Sequence, residues 1–511
     1  MTFMKHYRIP ACALFIIFLC CGSVLADDGV YNGGVIDHGL LGVADFSFAG
    51  GDLSAEPTEA GWVDNILQVT TWDGDDWAQC WGAYPWDTTG QWIVYTSDRE
   101  NSNEICKMKA DGTEFLQLTD NNSCDSHASF VPPNNDKIVF QRNSSGRNGG
   151  GAEIWIKDAD DPTPASEINL TQQHGGLVPD PQTCNNKPVV SHDGTRIAFH
   201  TCYEDIWVMN IEGTDVPIQI TDFYCCSGKH SWGTDDTWVL LATWDDDENG
   251  ARIYRAEADG SGVTQLSDEN YVVTLADEST FTADWKCENW PSLSPNGQWI
   301  AFHGKYEKEF YKDRNGYDEE VSTLSIMPST GSDGDDVIHL VIQGLEDGDE
   351  WENVCGPNSW SPDSKWIAFK MRPYDDVSSI FAINIQTREI VQLTQDFDDR
   401  RMWWSPGGEK ILFGDSWSGD PEATRDDELF GKDLLIINFK SCDPVGDVNN
   451  DGVVNATDLN IVLAYLNQEV PEDYPCADLN GDGTVTILDV RQMISENPLL
   501  ARDRRLRRLL R

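Results

Sequence analysis

The sequence predicts an all-β protein, a seven-bladed β-propeller, followed by a small α-helical module built on EF-hand-like loops. Three observations carry that expectation. A turn leading into a β-branched and aromatic strand recurs seven times, at spacings of 42 to 67 residues. Two loops rich in oxygen-bearing side chains stand in tandem after Cys442. Twenty Trp and 43 Gly among 511 residues, 40 % of which are hydrophobic, suit a loop-rich β protein with sizeable cores.

In chain order, residues 1–26 read as a secretory signal. Lys5 and Arg8 supply the positive start, Ala11 to Leu19 the apolar run, and Val24-Leu25-Ala26 the cleavage site. That run is shorter than the ~18 residues a membrane span requires, and no later segment reaches that length. The chain is therefore expected to be exported, to the periplasm, the cell surface or the medium, and not to be an integral membrane protein. Cys20 and Cys21 suit a lipoprotein poorly, because Phe18 and Leu19 are bulky where a small residue is needed. Residues 27–64 read as a linker.

Residues 65–440 form the propeller. Its second strands are Gln91-Trp92-Ile93-Val94-Tyr95, Ile138-Val139-Phe140, Ile197-Ala198-Phe199, Val239-Leu240-Leu241, Ile300-Ala301-Phe302, Ile367-Ala368-Phe369 and Ile411-Leu412-Phe413. A short inner strand precedes each, ending near Trp86, Phe130, Val190, Trp232, Leu293, Trp360 or Trp404. An alternating third strand follows, as in Glu153-Ile154-Trp155-Ile156. The fourth closes on a polar-aliphatic-hydroxyl signature: Gln117-Leu118-Thr119, Asn169-Leu170-Thr171, Gln219-Ile220-Thr221, Gln265-Leu266-Ser267 and Gln392-Leu393-Thr394. His339-Leu340-Val341 is a weaker version. The seventh copy stops after its third strand, Asp433 to Phe439, and the missing signature sits at the other end as Gln68-Val69-Thr70. An N-terminal strand that completes the last blade would close the ring and leave no open edge. Six blades are the alternative. With Ser294-Pro295-Asn296-Gly297, Ser361-Pro362-Asp363-Ser364 and Ser405-Pro406-Gly407-Gly408, these segments resemble the TolB-type propeller repeat.

Long loops enlarge one propeller face and mix acidic with aromatic residues, as in Trp72 to Trp77 and Glu346 to Trp351. Trp77 and Trp351 are the expected ligand-binding residues there, for a carbohydrate or a peptide. A solvated acidic surface, with Trp packed between blades, is the competing reading. A formal charge of −51 argues against nucleic acid as a partner, because phosphate contact needs a basic surface.

Eleven cysteines remain after the signal, an odd number for an oxidising compartment. Cys442 and Cys476 each stand just ahead of one of the two C-terminal loops and are expected to form a bridge. Cys80, Cys124, Cys184, Cys226, Cys287 and Cys355 fall just ahead of six inner strands. They read as a ring of thiols for bridging or soft-metal binding, or as a small buried residue repeated by duplication. His127, His192, His200, His230 and His303 lie in or beside the repeat without a metal-binding spacing. Oligogalacturonate lyases are similar propellers with a manganese site of His and Gln, and no copy of it is recognisable here. A Gly-x-Ser-x-Gly elbow is also lacking.

Residues 441–498 carry the sharpest chemistry. Asp447, Asn449, Asp451, Asn455 and Asp458 occupy positions 1, 3, 5, 9 and 12 of one loop, and Asp478, Asn480, Asp482, Thr486 and Asp489 those of the other. Gly452 and Gly483 stand at position 6, and Val453 and Thr484 offer backbone carbonyls at position 7. Hard oxygen donors at this spacing suit calcium. Each loop opens a helix, Asp458 to Leu466 and Asp489 to Ser495. The segment resembles a type I dockerin, which implies calcium as cofactor and a cohesin-like partner in a polysaccharide-degrading assembly. Positions 10 and 11 depart from that family's Ser-Thr pair, holding Ala456-Thr457 and Ile487-Leu488. The Arg-rich residues 499–511 form a cationic tail.

The expected function is an exported, calcium-binding protein whose propeller is a non-catalytic binding platform, attached or assembled through the dockerin-like module. The alternative is a polysaccharide-degrading hydrolase or lyase. A periplasmic TolB-like partner is weakened by the C-terminal module.

Overall fold

The computed structural model describes residues 63–70, 76–77, 84–98, 102–143, 151–172, 185–201, 205–222, 230–244, 251–267, 272–274, 280–282, 285–308, 319–332, 336–344, 354–371, 379–388, 390–394, 401–415, 433–439, 448, 454, 456–469, 477, 484–487, 490–491 and 493. The chain divides into two compact units. Leu67–Ile436 makes up the greater part of one, and Ile437–Arg511 of the other.

Seven four-stranded sheets form the propeller. Their second strands are Trp92–Ser97, Lys137–Asn143, Arg196–His200, Trp238–Trp244, Trp299–Lys308, Trp366–Met371 and Lys410–Asp415, one for each copy of the sequence repeat. These strands read as continuous apolar runs because both of their faces are covered. Val94 and Ile105 of the first blade pack with Phe130, Ile138 and Phe140 of the second. Ile93 and Tyr95, pointing the opposite way, pack with Leu412, Leu434 and Ile436 of the seventh. Strand alternation thus serves two neighbours at once.

The fourth-strand signature has a physical basis. Its aliphatic residue is buried, as with Leu118, Leu170, Ile220, Leu266 and Leu393. Its hydroxyl accepts a backbone N–H from the third strand: Thr119 from Ile105 at 2.8 Å, Thr221 from Ile206 at 2.8 Å, Ser267 from Ile253 at 3.1 Å and Thr394 from Ile380 at 2.8 Å. The Gln side chain folds back to the carbonyl of the hydroxyl residue in Gln117, Gln219, Gln265 and Gln392, at 2.7–2.9 Å. A two-residue strand is thereby anchored beyond what its ladder alone would hold.

Gln68-Val69-Thr70 follows the same rule in the last blade. Thr70 Oγ1 accepts Leu434 N–H at 2.8 Å, and Val69 N–H donates to the Leu434 carbonyl at 2.9 Å. The sheet runs Val63–Gln68, Asp433–Phe439, Lys410–Asp415, Met402–Trp404, from rim to hub. The ring therefore has seven blades and is closed by its N-terminal strand, and the six-bladed alternative is excluded.

Adjacent blades are also tied near the hub and at the turns. Trp232 Nε1 donates to the Val189 carbonyl at 2.9 Å, and Trp360 Nε1 to that of Ser292 at 3.1 Å. The serines of the Ser-Pro turns accept an N–H five residues on, as Ser294 does from Trp299 and Ser361 from Trp366, both at 2.9 Å. At Gly194, where φ is +71°, a Cβ would stand 1.8 Å from the Pro132 carbonyl oxygen, so only glycine lets these two turns meet.

Two features depart from the sequence reading. Cys124, Cys287 and Cys355 lie within the inner strands Cys124–Phe130, Trp285–Leu293 and Val354–Trp360, not ahead of them. The ladder runs past irregularities between Ser126 and Ser129, Asn289 and Ser292, and Cys355 and Ser359, which lengthens these strands beyond their apolar ends. A hairpin of Val272–Thr274 and Thr280–Thr282 also stands between the fourth and fifth blades.

In the C-terminal unit, the helix Ala456–Ala464 packs Leu459 and Val462 against Val448, Val485, Val490 and Met493. Gln468–Glu469 pairs antiparallel with Thr484–Val485. Leu459 and Val490 each follow position 12 of their loop, so the two repeats contribute equivalent residues to one core.

Candidate functional site

Asp458 is the third residue of its helix and is fully buried. Its Oδ1 accepts the backbone N–H of Val448, at position 2 of the same loop, at 2.9 Å. A carboxylate taken out of water requires such compensation. This bond holds the two ends of the loop together, as a cage built from positions 1 to 12 requires. Thr484 lies in the short strand Thr484–Val485, and Thr486 follows it, half-buried. Asp447, Asn449, Asp451, Val453, Asn455, Asp478, Asn480, Asp482 and Asp489 lie outside the described residues, as do Cys442 and Cys476. Among the described residues, no group of three or more His, Cys, Asp or Glu is placed to hold a metal ion.

On the propeller, Trp77 belongs to the strand Asp76–Trp77 and pairs with Thr96. Trp351 lies outside the described residues. Of the cysteine ring, Cys124 and Cys287 are free thiols, and burial pushes Cys287 up to about 11, which makes it a poor nucleophile or metal ligand. Cys80, Cys184 and Cys226 lie outside the described residues.

The hub holds an arrangement that sequence spacing did not disclose. His200 ends the second strand of the third blade, His230 opens the inner strand of the fourth, and their ring centroids lie 4.7 Å apart. Burial holds His230 down at about 4 and His200 well below the usual imidazole range, so both are neutral near pH 7. His127, in the inner strand of the second blade, is lowered to about 3, first by burial and then by the charges of Lys187 and Arg401. His303 stacks on Trp290 at 5.6 Å and shares a 2.7 Å hydrogen bond with Ser322, which gives it a packing role. The His200–His230 pair spans two blades and no local motif encodes it. The only sequence signal was the recurrence of His beside the inner strands.

Residues 445–496 match the family model of the Dockerin type I domain. No curated protein matches the chain. Among solved structures, an oligogalacturonate lyase in complex with manganese is 9 % identical, with a TM-score of 0.51 over 74 % of this chain and 93 % of that chain. An oligogalacturonate lyase from Vibrio parahaemolyticus is 11 % identical, with a TM-score of 0.48 over 73 % and 93 % of the two chains. TolB from Acinetobacter baumannii is 14 % identical, with a TM-score of 0.36 over 60 % and 68 %. The first likeness shows a shared propeller fold and nothing more. Among the described residues, no helix is long and apolar enough to cross a membrane.

Proposed function

We propose that this chain is an exported binding protein whose propeller is carried, through its C-terminal dockerin module, into a calcium-dependent complex with a cohesin-like partner. The dockerin match, with Asp458 buried at position 12 and bonded back to position 2, supports this reading most directly. The donor set fits calcium. Asp447, Asn449, Asp451, the Val453 carbonyl, Asn455 and Asp458 would hold one ion. Asp478, Asn480, Asp482, the Thr484 carbonyl, Thr486 and Asp489 would hold the other. Bound calcium supplies the positive charge that lets three carboxylates per loop stand together, since no Lys or Arg occurs between Ser441 and Val490. The propeller then presents its loop-rich face, with Trp77 and Trp351, to a carbohydrate or peptide. A cohesin pull-down of the full chain, with and without chelator, tests the assembly. Retention that ignores calcium, or no retention in calcium, contradicts it.

A second reading, a polysaccharide-degrading hydrolase or lyase, draws support from the buried imidazole pair at the hub. Incubation with a panel of polysaccharides, followed by product analysis, separates the two. Shortened chains from the full protein but not from a His200→Ala variant favour catalysis.

A further inference from the structure

Three inner strands break their ladder at the same place. Before the break, the second blade pairs Ser126 with Gln141, the third Asn186 with His200, and the fifth Asn289 with His303. One position on, each strand carries a left-handed non-glycine residue: His127 (φ 55°), Lys187 (φ 54°) and Trp290 (φ 51°). Side chains adopt such backbone rarely, so its recurrence here marks the three bulges as equivalent.

On the far side of the bulge the ladder runs on toward the start of the inner strand. Two residues further, Cys124 pairs with Asn143 in the second blade and Cys287 with Lys305 in the fifth. The same two steps in the third blade lead from Asn186 to Cys184 and from His200 to Cys202. The span from Cys184 to Cys202 equals that from Cys287 to Lys305, so no insertion disturbs the correspondence. Both cysteines lie outside the described residues, but each is one peptide bond from a described neighbour, Asn185 or Thr201. Those neighbours are buried and held by the backbone. Asn185 N–H donates to the Ala152 carbonyl at 2.7 Å, and Thr201 N–H to that of Asp205 at 2.9 Å.

Residues directly opposite in an antiparallel pair have Cα atoms about 4.5 or 5.5 Å apart, according to their place in the hydrogen-bond pattern. A disulfide spans about 4.4–6.8 Å between Cα atoms, so either setting suits one. The other blades supply an internal comparison. Cys124 pairs with Asn143, Cys287 with Lys305 and Cys355 with Lys370, and both Cys124 and Cys287 are free thiols. Of these four cysteines, Cys184 alone has a second cysteine at the opposing position.

We infer that Cys184 and Cys202 form a disulfide that staples the inner strand of the third blade to its second strand, beyond the Lys187 bulge. As the Sγ–Sγ bond forms, the two thiols give up two protons and two electrons to a small-molecule disulfide, which leaves as two thiols. The bond owes nothing to calcium or to the C-terminal module. Export would supply an oxidising compartment. The experiment sets its own redox poise and so does not rest on that reading.

The full chain is incubated with reduced and oxidised glutathione, denatured, alkylated without reduction, and mapped by mass spectrometry. Trypsin with a glutamyl protease cuts after Arg196 and Glu204, which parts Cys202 from Cys184 and from Cys225 and Cys226. The expected result is a linked pair of peptides carrying Cys184 and Cys202, with Cys124 and Cys287 alkylated. Cys184→Ser should release Cys202 as a new alkylated thiol. Cys184→Ser, Cys202→Ser and the double variant should melt lower by the same few degrees, because either single change removes the whole bond. Either cysteine linked elsewhere, or both alkylated in the unaltered chain, overturns the proposal, and this mapping needs no variant to fold. A double variant whose loss is the sum of the two single losses overturns it as well.

Discussion

Trp86 Nε1 donates a hydrogen bond to the carbonyl of Trp403 at 3.1 Å, joining residues 317 positions apart. The same contact recurs as Trp232 to Val189 and Trp360 to Ser292, in each case to the residue before the last apolar side chain of the neighbouring inner strand. The seam between the first and last blades is thus built like the seams within the chain. Trp86→Phe should cost about 1–3 kcal/mol, because it leaves the Trp403 carbonyl, which Trp86 meets in a part-buried setting, without that donor. Denaturant unfolding measures the loss, and an unchanged midpoint contradicts this role.

Closure gives a stronger test at the rim. Removing the residues before Gly74 takes away Val69 and Thr70, and with them three hydrogen bonds to Leu434. The exposed edge of Asp433–Phe439 should then bring aggregation or broad, non-cooperative melting. A monomer with the original melting curve is incompatible with the closed ring.

Asp125 is fully buried and bidentate to Arg142 at 2.8 Å, while Arg142 also reaches Glu167 at 2.6 Å. Asp125→Ala takes two charge-assisted bonds from a largely buried guanidinium and leaves it Glu167 alone, and should destabilise by about 3 kcal/mol. Breaking the exposed pair of Lys109 and Glu114 with Glu114→Ala should leave the unfolding midpoint in place. Equal effects of the two changes would show that burial does not set their weight.

Acid should expose the buried imidazoles. His303 is held at about 4 by burial, with a further push from Lys305, against 6.5 when exposed. Below pH 6.5 the unfolded chain takes up a proton that the folded chain refuses, so the folded-state advantage is complete above pH 6.5 and drains between 6.5 and about 4. The loss can reach about 1.4 kcal/mol per pH unit for one imidazole. His303→Gln should flatten the fall in melting temperature across this window relative to the unaltered chain. Parallel profiles would mean that His303 is not a buried neutral group.

The ring was legible in the sequence because each blade repeats the same local physics. Strands covered on both faces read as Ile-Val-Tyr or Ile-Ala-Phe, and the hydroxyl that anchors the fourth strand recurs down to Gln68-Val69-Thr70. The Trp of the inner strands was equally visible. The bulges at His127, Lys187 and Trp290 were not, since a left-handed bulge leaves no compositional mark where glycine is absent. Nor was the His200–His230 pair, because blade stacking, and no spacing along the chain, brings the two rings together. In the C-terminal module, the loop positions carry the expectation of a calcium site, and only the fold revealed that Asp458 is buried and bonded to Val448.

The central claim, a module organised by calcium, is tested most directly by calorimetric calcium titration of the full chain beside Asp458→Ala and Asp489→Ala variants. The unaltered chain should take up two ions per molecule with a gain of helix on binding, and each variant should lose one of them. Titrations indistinguishable among the three proteins, or no uptake by the unaltered chain, would contradict it.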